Sequence, residues 1–178
     1  MVTVLITTSR EPSQRTRSLV NELVAIIPVL SKFNRGKSTL KELYDIALSR
    51  RARFLVMVYE KKGNPSMLRI YSVDTISGDL VPRYNIFFKG LTLYRDKFKV
   101  KPTPYKGSYC VEGRGDDAAK LAGVLSVVLN YPSCLNPIVD TPRRIIVDLH
   151  GNVFTIKFIE MNRLVGPILR VRRYEVQE

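Results

Sequence analysis

Histidine occurs once and cysteine twice in 178 residues, which excludes a zinc centre of the usual four-ligand kind. Cys110 and Cys134 read as ordinary core thiols, the common fate of two scattered cysteines in an intracellular chain, with a single disulfide as the alternative. No apolar run approaches the roughly 18 residues that span a bilayer, so no membrane partner is expected. A basic leader is missing as well: "MVTVLITTSREPS" reads as a first strand and not as a signal peptide. Acid is the scarcest resource. Sixteen Asp+Glu face 29 Lys+Arg, leaving a net charge of +13 and a pI near 10.0. The excess is spread along the chain, with 15 basic and 7 acidic residues in 1–90 and 14 and 9 in 91–178. A basic folded body, unlike a basic tail, implies a surface built to sit on polyanions, and nucleic acid is the first candidate.

What is present is an ordinary globular composition, 45% hydrophobic and 9% aromatic, enough for one good core or two lobes sharing one. "TVLITTS" is a buried strand. Ser13 is placed to cap a helix starting near Gln14, with Leu19, Leu23, Ile26 and Ile27 on one stripe and Pro28 ending it. A second helix over 38–50 takes Ser38 as its cap and buries Leu40, Leu43, Tyr44, Ala47 and Leu48. "RFLVMVYE" and "MLRIYSVD" form a hairpin about "KKGNPS", and a strand follows around "YNIFF". From residue 91 to 106 the pattern weakens, and Pro102, Pro104 and five basic residues suggest a connection over the surface. The plan then restarts. "YCVEGRGDDAAKLAGVLSVVLN" repeats the strand, polar loop and capped helix of "LITTSREPSQRTRSLVNELVAII", with Asp116 as the cap. "RRIIVDLHGNVFTIKFIEMN" repeats the hairpin, each turning at Gly-Asn (Gly63-Asn64, Gly151-Asn152). The reading is one α/β (α+β-like) domain over 1–178, with an N-terminal half about 1–90, a basic connection about 91–106 and a C-terminal half about 107–178.

"NRGKSTL" at 34–40 ends like a phosphate-binding loop, Gly36-Lys37-Ser38. A P-loop also needs a glycine five positions earlier, so that backbone N–H groups can face the phosphates. Ser31 stands there, and Phe33, Asn34 and Arg35 would crowd the cradle. No nucleotide, cofactor or metal is expected. His150, beside a hairpin turn, has no nucleophile near it in sequence, and Asp116 and Asp117 read as acids favoured at a helix N-terminus. Nothing argues for an enzyme.

Three features combine charge with a shaped backbone. The loop after the first strand carries Ser9, Arg10 and Ser13, with Arg15 and Arg17 just inside the helix, and offers free N–H groups and hydroxyls as a phosphate seat. The loop before the second helix carries Asn34, Arg35, Gly36 and Lys37, and Gly36 permits a backbone other residues resist. In the last strand, "GPILRVRRYEV", alternation places Ile168, Arg170, Arg172, Tyr174 and Val176 on one face, a line of phosphate contacts plus a stacking ring. An edge strand guarded by charge is the plainer account of that pattern.

These pieces resemble the Brix-domain proteins of ribosome biogenesis, in a short archaeal Imp-like form. The resemblance rests on "TTSREPS" (Thr7 to Ser13), "IIPVLSKFNRG" (Ile26 to Gly36), "YEKKGNP" (Tyr59 to Pro65) as the family's E-x-x-G-x-P, and "VGP" (Val165 to Pro167), in that order over nearly the whole chain. It implies two pseudo-symmetric halves, each similar to the anticodon-binding domain of class II tRNA synthetases. It also implies binding of ribosomal RNA or pre-rRNA during processing and subunit assembly, without catalysis, alongside other ribosome-assembly proteins. Such a protein would be cytoplasmic, or nucleolar in a eukaryote. Two departures stand out: "TISGDLVPRYN" lacks the family's Gly-Pro-Thr, and Ile168 follows the late Gly-Pro where an arginine is usual, with Arg170 two positions on. A tRNA-binding accessory module and a protein–protein adaptor in the pre-ribosome remain alternatives.

Overall fold

The computed structural model describes residues 3–178; Met1 and Val2, at the start of the expected domain, lie outside the described residues. The elements run β1 (Thr3–Thr8), α1 (Gln14–Ile26), β2 (Leu30–Lys32), α2 (Leu40–Ser49), β3 (Ala52–Lys61), β4 (Asn64–Asp74), β5 (Asp79–Thr92), α3 (Tyr94–Phe98), β6 (Tyr109–Gly113), α4 (Asp116–Leu129), β7 (Arg143–His150), β8 (Val153–Glu160), β9 (Arg163–Leu164) and β10 (Ile168–Val176). All strands join one ten-stranded mixed sheet in the order β2-β1-β3-β4-β5-β10-β8-β7-β6, with β9 on β8. Parallel pairing occurs where a helix returns the chain, β1 with β2 and β3, and β6 with β7. The hairpin strands pair antiparallel, as short turns require.

Alternation along β1 sends Val4 and Ile6 to one face and Leu5 to the other, and all three are buried because both faces are covered. On the first face α1 supplies Leu19, Leu23 and Ile26, and α4 supplies Leu121, Val128 and Leu129. Both pack on the same layer of Ile6, Val56, Ile86, Ile145 and Ile156, one continuous core. On the second face α2 lays Leu43 and Ala47 on Leu5, Leu55 and Met57. Burying a leucine such as Leu43 contributes roughly 2 kcal/mol. The β6–α4–β7–β8 unit has no counterpart of α2.

Several expected boundaries move by one residue. Ser38 closes a turn, its N–H donating to Arg35 O at 3.0 Å with Gly36 at φ +54°. The cap of α2 is therefore Thr39, whose hydroxyl accepts from Glu42 N at 3.2 Å. Gly115, at φ +96°, precedes α4 in place of Asp116, since a side chain there would strain. The first hairpin turns at Lys62-Gly63, with φ of 52° and 76°, while the second turns at Gly151-Asn152 as expected.

The two cysteines are not free core thiols: Cys110 and Cys134 form a disulfide. The chain after α4 comes back along β6, with Val111 N donating to Pro132 O at 2.8 Å and Cys134 N to Val111 O at 2.9 Å. That return brings the two Cα atoms to 4.9 Å. Closing a loop with a sequence separation of 24 contributes about 3 kcal/mol on chain-entropy grounds.

The basic connection is also more ordered than its composition suggests. Leu93 is buried, α3 follows it, and the buried Glu22 of α1 accepts from Tyr94 N (2.7 Å) and Arg95 N (3.2 Å). Further on, Tyr105 N donates to Ala25 O at 2.8 Å. Tyr109, fully buried, donates its hydroxyl to Ile26 O at 2.7 Å. Burial pushes that phenol up to about 12. No helix among the described residues is long and apolar enough to cross a membrane.

Candidate nucleic-acid interface

Beyond the C-terminal end of β1 the chain leaves the sheet in a five-residue loop, 9–13, before α1 begins. Ser9 N still bonds Val58 O at 2.9 Å, extending the strand by one residue. Ser13 is the helix cap expected from the sequence, its hydroxyl accepting from Thr16 N at 3.3 Å. The same hydroxyl donates to Gly63 O at 2.7 Å. Glu60, at the end of β3, accepts from Ser13 N (3.0 Å) and from the Thr16 hydroxyl (2.6 Å). These donors, Thr16 first, hold the Glu60 carboxyl below its ordinary value. Residues Glu60 and Gly63 of the E-x-x-G-x-P hairpin thus clamp the first loop onto the sheet.

A second loop, 33–38, runs beside the first. Phe33 N donates to Ile6 O at 3.0 Å, and the Thr7 hydroxyl to Phe33 O at 2.6 Å. Between the loops lies a cavity of about 620 Å³. Thr8, Glu11 and Pro12 form one wall, and Asn34, Gly36 and Lys37 the other. Arg17 and Asn21 of α1, with Lys32 of β2, close the side. Four cations (Arg17, Lys32, Arg35, Lys37) face one carboxylate, Glu11. Among the described residues neither Arg17 nor Lys37 makes an ion pair, and neither does the exposed Arg10 on the first loop. Uncommitted cations on a wall that holds one carboxylate are suited to phosphate oxygens.

The remaining expected contacts fall elsewhere. Arg35 lines the cavity but is partly committed to its own loop, Nε donating to Ser38 O (3.2 Å) and Nη1 to Met57 Sδ (3.3 Å). Arg15 points to the other flank of α1, bonding Asp96 Oδ2 at 3.1 Å and Leu91 O at 3.3 Å. The last strand is not brought to the cavity, because β3, β4 and β5 separate β10 from β1. Its simple alternation also fails. The register steps from Val171↔Phe88 to Arg173↔Phe87, so Arg172 is an extra residue in a bulge. Beyond the bulge Tyr174 turns inward, its ring 5.8 Å from that of Phe154. Arg170 Nη2 donates to the Thr92 hydroxyl at 2.9 Å. Arg172 stays exposed, 5.5 Å from the Phe87 ring, on which Arg173 stacks at 3.9 Å. Tyr174 and the two arginines thus do not share a face.

Sequence reasoning missed Lys32 and Asn21, which bond each other at 2.9 Å. A three-residue strand gives too little periodicity to be found, so Lys32 carried a signal only as a position of "IIPVLSKFNRG", without an assigned role. Glu60 carried one in the same way, as a position of the E-x-x-G-x-P motif without an assigned role.

No family model matches the chain. Curated relatives do, each called a probable Brix domain-containing ribosomal biogenesis protein. That of Pyrococcus horikoshii is 39% identical over 98% of this chain and 85% of its own length. The Aeropyrum pernix relative is 31% identical over 93% and 92%, and the Sulfurisphaera tokodaii relative 28% over 98% and 94%. The crystal structure of a probable ribosomal biogenesis protein from Aeropyrum pernix superimposes with a TM-score of 0.83, at 27% identity and 96% coverage of both chains. An archaeal Imp4-like protein shares the fold, with a TM-score of 0.74 at 22% identity, over 98% of this chain and 99% of that one. With near-complete coverage, identity above 30% and the same mixed sheet, the chain belongs to the Brix domain-containing ribosomal biogenesis proteins.

Proposed function

We propose that this protein acts in ribosome biogenesis as a non-catalytic factor that binds ribosomal RNA or its precursor, alongside other assembly proteins in the cytoplasm. The names of its relatives support the biogenesis role. The observation that carries RNA binding is the cavity between the 9–13 and 33–38 loops, with Arg17 and Lys37 on its wall in no ion pair among the described residues. Phosphates of a folded RNA backbone would sit against these cations, while release of counterions drives association. The two-fold repetition of strand, helix and hairpin supports reading the chain as two related halves, and we read each as similar to a class II synthetase anticodon-binding domain.

The test is a filter-binding titration of an rRNA fragment over a range of salt concentrations with the Arg17→Ala, Lys37→Ala double variant. Loss of two phosphate contacts should weaken binding about tenfold or more and flatten the log–log salt slope by about 1 to 2. Unchanged affinity and slope would remove the cavity from the interface. Competition between tRNA and rRNA fragments decides the class of RNA.

A further inference from the structure

The connection between β5 and β6 carries a feature that the phosphate-binding groove does not explain. Its helix α3 ends in Phe98, which is 43% exposed, and the next residues are Lys99 and Val100, the latter 59% exposed. The Phe98 ring lies on that of Tyr94, centroids 4.5 Å apart and planes 34° from parallel. Lys97 Nζ is 5.7 Å from the Phe98 centroid. Lys97, Lys99 and Lys101 make no ion pair among the described residues, and Lys99 Nζ reaches only the Asp96 carbonyl at 3.0 Å.

An exposed phenylalanine on a loose loop would have no meaning beyond chance. This segment is not loose. The buried Glu22 carboxylate holds the Tyr94 and Arg95 N–H groups. Arg95 Nη1 bonds the Ser18 hydroxyl at 3.2 Å, and Asp96 bonds both Leu93 N at 3.0 Å and Arg15 at 3.1 Å. Leu93 is buried beneath. The fold therefore fixes the backbone of α3 against α1 and leaves Phe98, backed by the half-buried Tyr94, exposed beside Lys97, with Lys99 and Lys101 next along the chain.

α1 separates this pair from the groove. Arg17 and Asn21 border the groove, while Arg15, Ser18 and Glu22 face α3. A helix is roughly 10 Å across, so an RNA strand leaving the groove over the solvent side of α1 reaches α3 within a few nucleotides. Every nucleobase has a π-face, and a preplaced ring flanked by cations is the standard seat for an unpaired one. We infer that Phe98, backed by Tyr94 and flanked by Lys97, Lys99 and Lys101, stacks an unpaired base of the bound RNA. This rests on the reading of RNA as the partner and adds single-stranded character to its target.

The test compares a short oligouridylate with the same strand carrying abasic ribose at every position, which keeps the phosphates and removes the stacking. Phe98→Leu should weaken oligouridylate binding about tenfold while leaving abasic binding and the salt slope unchanged. Phe98→Tyr, which still stacks, should bind normally. The chain has no tryptophan, so Phe98→Trp introduces a lone indole, whose emission oligouridylate should quench and the abasic strand should not. Wild-type affinity in Phe98→Leu, with Arg17→Ala, Lys37→Ala still impaired, overturns the stacking seat alone and leaves the aromatic pair to a protein contact. Failure of the wild type to bind either strand or an rRNA fragment overturns both readings.

Discussion

The two ends of the sheet begin alike and diverge within a few residues. At one end Ser9 N extends β1 onto Val58 O at 2.9 Å; at the other Arg114 N extends β6 onto Val147 O, also at 2.9 Å. Val4 N bonds Val29 O at the first end as Val111 N bonds Pro132 O at the second, both at 2.8 Å. The first end then spends residues 9–13 on a loop, while the second has only Arg114 and Gly115 before its helix. α1 has no acid in its first turn, whereas α4 has Asp116 and Asp117. The cation that follows β6 is also consumed: Arg114 bonds Glu112 at 2.8 Å and lies 3.7 Å from Asp148. Arg114, followed by Arg144, keeps the Glu112 carboxyl below its ordinary value. The same topology thus makes an open cationic groove at one end and a closed, charge-balanced seam at the other. Loop length and the carboxylates within reach, not the fold, set which cations each end leaves uncommitted.

The largest effect expected from breaking this contrast comes from Gly113→Ala. A Cβ there would lie 2.6 Å from Ala119 N and 2.8 Å from Ala118 C, both backbone atoms that cannot turn aside. The seam between β6 and α4 should lose about 3 kcal/mol, read as a lowered urea midpoint. The matching change in the groove, Gly36→Ala, meets no atom within 4 Å and strains only its φ of +54°. It should cost about 1 kcal/mol. Equal losses would mean that the two ends are packed alike.

Glu60→Gln should come next, at about 1 kcal/mol, since a charge-assisted pair of bonds is weakened at a half-exposed site. Because the folded carboxyl titrates below its ordinary value, its contribution is complete above the unfolded carboxylate range, about pH 4.3. It disappears as pH falls through the lower, folded value. The stability gap between wild type and variant should therefore close on acidification; a gap that persists at the lowest pH would show that the glutamate acts by shape alone. The smallest effect sharpens the comparison. Arg114→Ala should leave RNA affinity and salt slope unchanged in the filter-binding assay, because that cation is already neutralised. A loss equal to that of Arg17→Ala, Lys37→Ala would place RNA on both ends.

Much of the local structure was legible because it depends on neighbours in sequence. The stripe of Leu19, Leu23 and Ile26, the Ser13 cap and the restart of the plan near residue 109 all follow from periodicity and hydroxyl chemistry. Ser38 and Thr39 are two hydroxyls in a row, and only the Arg35–Ser38 turn selects between them as cap. The bulge at Arg172 leaves no local mark, so alternation alone puts Tyr174 on the wrong face. The disulfide depends on a chain segment returning along β6, and two cysteines 24 residues apart say nothing of that. Glu22 reads as one more exposed helical acid until the N–H groups of residues 94 and 95 meet it.

By itself the sequence determined the excess of positive charge, the alternation that builds the strands and helices, and the two loops shaped by Ser13 and Gly36. Those are sums over residues or contacts within a few positions, so they survive without knowledge of the fold. Only the tertiary structure decided which cations remain uncommitted. Arg15, Arg35 and Arg114 find acceptors in the folded chain, whereas among the described residues Arg17 and Lys37 do not, and a guanidinium's availability is set by whatever acceptor the fold brings within hydrogen-bonding reach.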